Sequence, residues 1–174
     1  MLDSILDADQ SLSTAAQSLR SPVLDVILSA ISSPWALFAV LPLVAWWVWR
    51  KRRAAIVVLL LVGVAVGLSD AITGLVMKPA FARTRPNGTR LSFPSSHASN
   101  TTAAAVVLAF EIPPIAVPAL AGAAVVSCAR VIEGKHWPSD VVVGGAIGAA
   151  VAGAVELVRK RLLRRTSPPA AATP

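Results

Sequence analysis

Residues 54–77 have the sequence AAIVVLLLVGVAVGLSDAITGLVM, an apolar run of 24 residues whose single charge is Asp70. A helix needs about 20 apolar residues to cross the hydrocarbon core of a bilayer. Inside that core every backbone polar group must be paired internally, which leaves helices and closed barrels as the possible structures. Because the apolar residues are continuous rather than alternating, the stretch predicts a membrane-spanning helix.

The rest of the chain is similarly apolar. Hydrophobic residues make up 55% of its 174 residues and charged residues 14%, whereas soluble domains carry roughly 25% charged residues. Residues 113–129 contain no charge, and a further apolar stretch covers 141–155. This composition predicts an all-α polytopic membrane helix bundle, formed by a single domain over residues 1–165.

The order of apolar and polar segments predicts about five main transmembrane helices behind an N-terminal interfacial helix. Residues 1–21 are expected to form an amphipathic helix on the membrane, because apolar side chains recur among Asp, Ser and Gln. The helix bundle is expected over 22–163, and the sequence leaves open whether 22–32 makes a separate crossing. The main crossings are expected at about 34–49, 54–77, 97–111, 113–130 and 139–163. The tail at 166–174 is rich in Ser, Pro and Ala and is expected to be disordered.

The net charge of +7 is concentrated in two basic blocks. One block is Arg50–Arg53 and the other is Arg159–Arg165. Both adjoin the ends of apolar runs, so they indicate cytoplasmic helix ends rather than a nucleic-acid-binding arm. The polar loops at 78–96 and 131–138 then share the external face. The sequence therefore predicts a multi-pass protein of a bacterial inner membrane, with any site in these loops facing the periplasm.

The chain offers few metal ligands. It contains one cysteine, Cys128, within an apolar run, and two histidines, His97 and His136. A single cysteine excludes an intrachain disulfide, and no Cys/His cluster has the spacing of a metal site. The sequence therefore predicts neither a metal nor another cofactor.

Most of the remaining basic residues lie in or beside the two external loops, together with both histidines. They are Lys78, Arg83, Arg85, Arg90, Arg130 and Lys135. This concentration of positive charge on one face predicts an anionic ligand at the membrane surface. Arg83 and Arg90 are weaker candidates, which are expected either to contact lipid head groups or to be solvated. Asp70 is expected to make a structural hydrogen bond between helices.

Three local arrangements in this region carry the chemistry. They are Lys78-Pro-Ala-Phe-Ala-Arg-Thr-Arg85-Pro86; Pro94-Ser95-Ser96-His97; and Arg130 followed after five residues by His136 and after three more by Asp140. In this order they resemble the three signatures of the type 2 phosphatidic acid phosphatase family, which shares its site with vanadium haloperoxidases. The resemblance spans about residues 78–140. The family usually has Gly at the position of Ser96 and Ser at the position of Ala129.

These residue types also suit phosphoryl transfer on physical grounds. The transferred group carries charge on three equatorial oxygens, so catalysis consists mainly of positioning and electrostatic stabilisation. Arginine offers a planar fork that matches two oxygens, and the free amides at a helix start bind anions. The expected phosphate-binding residues are Lys78, Arg85, Ser95, Ser96 and Arg130.

The two histidines are expected to perform the catalytic steps. A histidine nucleophile must be neutral at the attacking nitrogen and hydrogen-bonded at the other. Asp140 lies one helical turn after His136, so it is expected to hold that imidazole. His97 is then the general acid for the leaving oxygen. The resemblance implies the same roles, with a phosphohistidine at His136 and subsequent activation of water by His97.

The sequence thus predicts an integral membrane lipid phosphatase that needs no metal and hydrolyses a lipid phosphomonoester or a lipid pyrophosphate. The resemblance implies four candidate substrates, which the sequence does not separate: undecaprenyl pyrophosphate, phosphatidylglycerol phosphate, phosphatidic acid and lipid A phosphate. Two alternatives are a vanadate-dependent oxidase of the haloperoxidase type and a non-enzymatic lipid-binding or transport protein. The expected partners are the lipid phosphate and membrane lipids, without nucleic acid, and the oligomeric state is undecided.

Overall fold

The computed structural model describes residues 2–31 and 44–166, and all regular structure within these ranges is helical. The helices are α1 (Leu2–Gln17), α2 (Pro22–Ile31), α3 (Arg52–Phe81), α4 (Ser96–Glu111), α5 (Ala116–Ile132) and α6 (Pro138–Thr166). Residues 44–50 are also helical. The predicted all-α fold is confirmed. Most of the crossing predicted at 34–49, and all of the predicted tail beyond Thr166, lie outside the described residues.

Within residues 2–31 and 44–166, three helical segments are long and apolar enough to cross a membrane. They are α3, α6 and the segment Pro113–Ile132, in which a short 3₁₀ turn leads into α5. These segments correspond to the crossings predicted at 54–77, 139–163 and 113–130. The helix predicted at 97–111 is α4, which has 16 residues and is shorter than the other three.

The distribution of apolar side chains is the reverse of that in a soluble protein. Large apolar residues face outward on the long helices, among them Leu60, Val117 and Val142. The fully buried side chains are instead small or polar, and Thr73 and Ser99 are among the largest of them. Lipid is as apolar as leucine, so helices in a membrane associate through close packing and interhelical hydrogen bonds. This arrangement fits a protein whose solvent is the bilayer.

The helix α4 lies at the centre of the bundle, where it packs against α3, α5 and α6. Its contact with α6 is close because α6 has glycines at Gly144 and Gly148. A Cβ atom at Gly144 would lie 2.4 Å from the carbonyl oxygen of Ser95, and one at Gly148 would lie 2.1 Å from that of Ser99. Small residues spaced by four allow the backbones of membrane helices to approach in this way. The glycines therefore set the distance between the starts of α4 and α6.

Polar side chains join α3 to α4 along one stripe. The hydroxyl oxygens of Ser69 and Ser99 lie 2.5 Å apart. The amide of Asn100 donates to the carboxylate of Asp70 at 2.9 Å. The interhelical hydrogen bond predicted for Asp70 is thereby confirmed. These contacts fix the rotation of α4 relative to α3, because each requires the two facing side chains to lie at matching heights.

The end of α3 differs from the sequence prediction. The helix continues past Met77 as a π-helical turn over Ile72–Met77 and a final α-helical turn over Lys78–Phe81. The wider turn precedes Pro79, whose ring is incompatible with regular α-helical bonding to the residue four positions earlier. The loop predicted to begin at Lys78 therefore begins after Phe81, and Lys78 lies on a helix.

The N-terminal helix α1 packs two polar side chains against the rest of the protein. Asp9 and Ser13 are buried, whereas Ile5, Leu6 and Leu12 are exposed. The helix contacts α5 and α6. This amphipathic pattern agrees with an interfacial helix. The sequence predicted only that α1 contacts lipid. It did not predict that buried polar residues join α1 to the bundle.

We expect Gly148→Ala to destabilise the protein, because the new methyl group would collide with backbone that cannot rotate away. Overpacking of this kind costs about 1–3 kcal/mol, which lowers the unfolding temperature by several degrees. The measurement is thermal unfolding of the detergent-purified protein. Gly153→Ala is the matched control on the same helix, since a Cβ atom at Gly153 meets nothing within 4 Å. Equal unfolding temperatures for the two variants would contradict the proposed close contact.

Candidate active site

Two loops meet at one end of the bundle, the loop between α3 and α4 and the loop between α5 and α6. The amide of Asn87 in the first loop donates to the carbonyl of Gly134 in the second at 3.2 Å. The indole nitrogen of Trp137 donates to the carbonyl of Thr84 at 2.8 Å. The prediction that both polar loops share one face of the molecule is therefore confirmed.

A cavity of about 430 Å³ lies between these loops and the adjoining ends of α3 and α4. Six of the predicted site residues line it: Lys78, Arg85, Ser96, His97, Arg130 and His136. The other two, Ser95 and Asp140, are fully buried and are not among the lining residues. The cavity thus brings together the cationic side chains and both histidines, as the motif spacing predicted.

The side chain of His136 is buried and held by a backbone carbonyl. Its Nδ1 atom lies 2.7 Å from the carbonyl oxygen of Ser92. A carbonyl oxygen only accepts hydrogen bonds, so Nδ1 must carry the proton in this contact. The neutral ring then has its lone pair on Nε2. The bond thus defines which nitrogen of His136 is available for attack.

The predicted direct bond between Asp140 and His136 is absent. The nearest carboxylate oxygen of Asp140 lies 3.7 Å from Nδ1 of His136, which is beyond hydrogen-bonding distance. The carboxylate instead accepts from the hydroxyl of Ser92 and, at 2.8 Å, from the amide of Trp137. Asp140 therefore positions Ser92, and the carbonyl of Ser92 in turn holds the imidazole of His136. The sequence did not predict this role of Ser92, because any residue can supply a backbone carbonyl as the acceptor.

Arg83 contradicts both roles that the sequence suggested for it. Its guanidinium donates to Asp140 at 2.7 Å, to Ser139 at 2.8 Å and to Asp9 at 2.7 Å. It also lies over the ring of Trp137, with 5.4 Å between the guanidinium carbon and the ring centroid. Arg83 is thus not a freely solvated side chain or one directed at head groups, because two buried carboxylates hold its partly buried guanidinium.

The remaining cations surround the cavity. The Nε atom of Arg85 is buried and has no hydrogen-bond partner within the described part of the chain. Arg130 is also buried, and its Nε atom lies 3.5 Å from the carboxylate of Glu133. The same carboxylate forms an ion pair with Lys135 at 3.1 Å. Glu133 therefore balances part of the positive charge at the rim.

The start of α4 supplies fewer free amides than the sequence predicted. Ser95 is the N-cap residue, and its hydroxyl accepts from the amide of Ala98. The amide of Ser95 donates to the carbonyl of Asp140 at 3.0 Å, so it is not available to phosphate. The amides of Ser96 and His97 belong to the first helical turn, where intrahelical partners are lacking. The predicted role of Ser95 as a phosphate ligand is therefore replaced by a role in helix capping.

His97 lies on the first turn of α4 at the mouth of the cavity, outside the three long membrane-spanning segments. Partial desolvation, together with the positive charge of Arg130 and other nearby basic side chains, lowers the pKa of His97 to about 4. The imidazole is thus neutral at pH 7 while the cavity is empty. A bound phosphate dianion would oppose these positive charges and raise the pKa of His97.

The donor set at the site suits an anion. Within residues 2–31 and 44–166, no cluster of three or more His, Cys, Asp or Glu residues could hold a metal ion. The buried carboxylate of Asp140 is already bonded to Ser92, Trp137 and Arg83. The site thus offers positive charge and hydrogen-bond donors, and metal independence of any reaction stays a prediction.

Comparison with known proteins agrees with this site. Residues 58–164 match the family model of the PAP2 superfamily. The chain is 35% identical over 143 residues to decaprenylphosphoryl-5-phosphoribose phosphatase from Mycobacterium tuberculosis, an alignment that covers 75% of this chain and 76% of that protein.

Two solved structures with 23% identity share the fold. One is the transmembrane PAP2-type phosphatidylglycerolphosphate phosphatase from Bacillus subtilis, with a TM-score of 0.69 over 91% of this chain and 87% of that chain. The other is LpxE from Aquifex aeolicus, with a TM-score of 0.70 over 85% of this chain and 94% of that chain. The resemblance found in the three motifs is confirmed: the chain belongs to the PAP2 superfamily and is a multi-pass membrane phosphatase.

Proposed function

We propose that the protein hydrolyses a lipid phosphate through a covalent phosphohistidine on His136. The observation that carries this proposal is the 2.7 Å contact between Nδ1 of His136 and the carbonyl of Ser92. It leaves the lone pair on Nε2 of a ring that lines a cavity rich in cations. A neutral imidazole with a fixed tautomer, next to an anion site, has the features that a histidine nucleophile requires.

The phosphoryl group binds among Lys78, Arg85 and Arg130 in this mechanism. The unpartnered Nε atom of Arg85 supports this assignment, because a phosphate oxygen would satisfy a buried donor. The amides of Ser96 and His97 add the partial positive charge of a helix start. These groups stabilise the charge on the equatorial oxygens, which is the contribution that a metal ion makes in other phosphoryl-transfer sites.

The reaction then proceeds in two steps. Nε2 of His136 attacks phosphorus, a P–N bond forms, and the P–O bond to the lipid breaks. His97, protonated after phosphate has raised its pKa, gives its proton to the departing oxygen. In the second step His97 takes a proton from water, the resulting hydroxide attacks phosphorus, and the P–N bond breaks to release inorganic phosphate.

The substrate class that we favour is a polyprenyl phosphate bearing a phosphorylated sugar. The sequence relative with 35% identity acts on such a lipid, as its name states. The cavity supports the choice, because Asp70, Asn100 and Thr101 also line it. Asp70 and Asn100 are hydrogen-bonded to each other, and the acceptor oxygens that this bond leaves free suit the hydroxyl groups of a sugar, whereas a carboxylate would repel phosphate. The two basic blocks flank spans, and they favour a site on the periplasmic face.

We expect His136→Ala to abolish turnover, because no other described side chain in the cavity occupies the position of the nucleophile. The measurement is release of inorganic phosphate by purified protein from a panel of polyprenyl and glycerol lipid phosphates. Arg90→Ala is the control, since Arg90 is an exposed residue of the same loop region that does not line the cavity. Phosphate release by the His136 variant at near wild-type rate would remove the nucleophile assignment.

We expect the His97→Ala variant to depend strongly on the leaving group. A phenolate of low pKa needs little protonation, so the variant should form phosphoenzyme faster from an activated aryl phosphate than from a lipid phosphate. The intermediate should then accumulate, because His97 also activates water. Rapid-quench trapping measures both effects. Phosphate trapped on His97 in the wild-type protein would exchange the two roles.

We expect activity to survive EDTA and to be inhibited by vanadate. Lys78, Arg85 and Arg130 supply the positive charge that a metal would otherwise provide, and vanadate would occupy the same cradle as phosphate. The measurement is phosphate release after chelation, with and without added divalent ions. Complete loss of activity that one divalent ion restores would overturn the metal-independent mechanism.

A further inference from the structure

Asp9 is a buried carboxylate on the helix α1, and apolar side chains beside it on that helix are exposed. Its side chain is only 5% exposed, whereas the side chains of Ile5 and Leu12 lie on the outer surface. Burial of an unpaired charge is costly, but Asp9 is fully bonded. It accepts from the amide and the hydroxyl of Ser139 at 2.8 and 2.5 Å, and from Arg83 at 2.7 Å. These bonds attach α1 to the start of α6.

A continuous chain of hydrogen bonds leads from Asp9 to the imidazole of His136. Arg83 bridges the carboxylates of Asp9 and Asp140, with 2.7 Å to each. Asp140 accepts from the hydroxyl of Ser92, and the carbonyl of Ser92 holds Nδ1 of His136. The amide of Ser92 also donates to the carbonyl of Arg83 at 2.8 Å. Arg83 therefore positions Ser92 through both its side chain and its backbone.

The arginine needs both carboxylates to keep this position. A guanidinium presents its donors in a rigid fork, and here one nitrogen serves Asp140 while the other serves Asp9. Without Asp9, only one nitrogen of the guanidinium would keep its partners, Asp140 and Ser139, and the group could rotate about those contacts. It would then draw Asp140 away from Ser92, and the carbonyl that selects the tautomer of His136 would lose its fixed orientation.

We propose that Asp9 is a positioning residue of the phosphatase, so that the N-terminal helix α1 is a functional part of the active site. The proposal rests on the function proposed above. Asp9 acts through Arg83, Asp140 and Ser92 on the nucleophile, and it does not touch the cavity. Its loss should therefore slow the attack of His136 on phosphorus, while binding of the phosphate among the other cations is retained.

The test is the variant Asp9→Asn, which keeps the size of the side chain but cannot accept from Arg83 with its amide nitrogen. Loss of a hydrogen bond between charged groups predicts a fall in kcat of about 10- to 100-fold. KM and the inhibition constant for vanadate should stay within about twofold of the wild type. Asp7→Asn is the matched control, because Asp7 is an exposed carboxylate on the same helix, and it should have wild-type kcat.

A double-mutant cycle separates positioning from simple destabilisation. Asp9→Asn, Arg83→Gln and their combination should be non-additive, with the double variant no slower than Arg83→Gln alone. Additive losses would overturn the proposed route through Arg83. Equal kcat for Asp9→Asn and the wild type would overturn the role of Asp9. A folded wild-type protein that releases no phosphate from any lipid would instead refute the proposed function.

A second variant keeps the proposal testable if Asp9→Asn does not fold. Arg83→Lys retains the positive charge, but a single ammonium group lacks the planar fork that bridges two carboxylates. It should reproduce the fall in kcat with unchanged vanadate inhibition. Wild-type kcat in Arg83→Lys would overturn the proposal, because the bridge between Asp9 and Asp140 would then be unnecessary.

Discussion

The carboxylate of Asp140 is fully buried at the point where the two loops of the site converge. It accepts hydrogen bonds from Arg83 and Ser92 in the loop before α4 and from Trp137 at the start of α6. A charge that is removed from water requires such partners, and loss of one of them is strongly destabilising. The hydrogen bonds that stabilise the buried charge of Asp140 therefore also hold the two loops of the site together.

The packing of the bundle serves this arrangement. Gly144 brings α6 so close to α4 that a side chain there would collide with the carbonyl of Ser95, and the amide of Ser95 bonds to the carbonyl of Asp140. The first turns of α4 and α6 are thus fixed relative to each other by backbone contacts. His97 lies on the first of these turns, and His136 lies two residues before the second. The glycines in the helix interface consequently determine how the two histidines face the same cavity.

The sequence identified the cavity residues well because they lie in three short motifs whose internal spacing is almost independent of the rest of the fold. It predicted that both histidines, Lys78, Arg85 and Arg130 come together, as they do around the cavity, and it predicted the three long helices. It could not identify the contact of Asp9 with Arg83, which joins residues 74 positions apart, since a lone aspartate on an amphipathic helix has the pattern of a solvated residue. The carbonyl of Ser92 was equally invisible, because every residue has one. The position of Lys78 was misjudged because a π-helical turn lets α3 continue through Pro79.

The two histidines are tuned by different physical means, which suits the opposite roles that we propose for them. His136 is buried, and a single hydrogen bond from its Nδ1 to the carbonyl of Ser92 selects its tautomer. His97 is more accessible, and the positive charge around it keeps its pKa near 4 in the empty cavity. In the proposed mechanism the phosphate dianion itself reverses this electrostatic effect, so the general acid becomes protonated only when a substrate is bound. A cationic cavity can therefore contain one histidine whose tautomer is fixed for attack and a second that gains a proton on substrate binding.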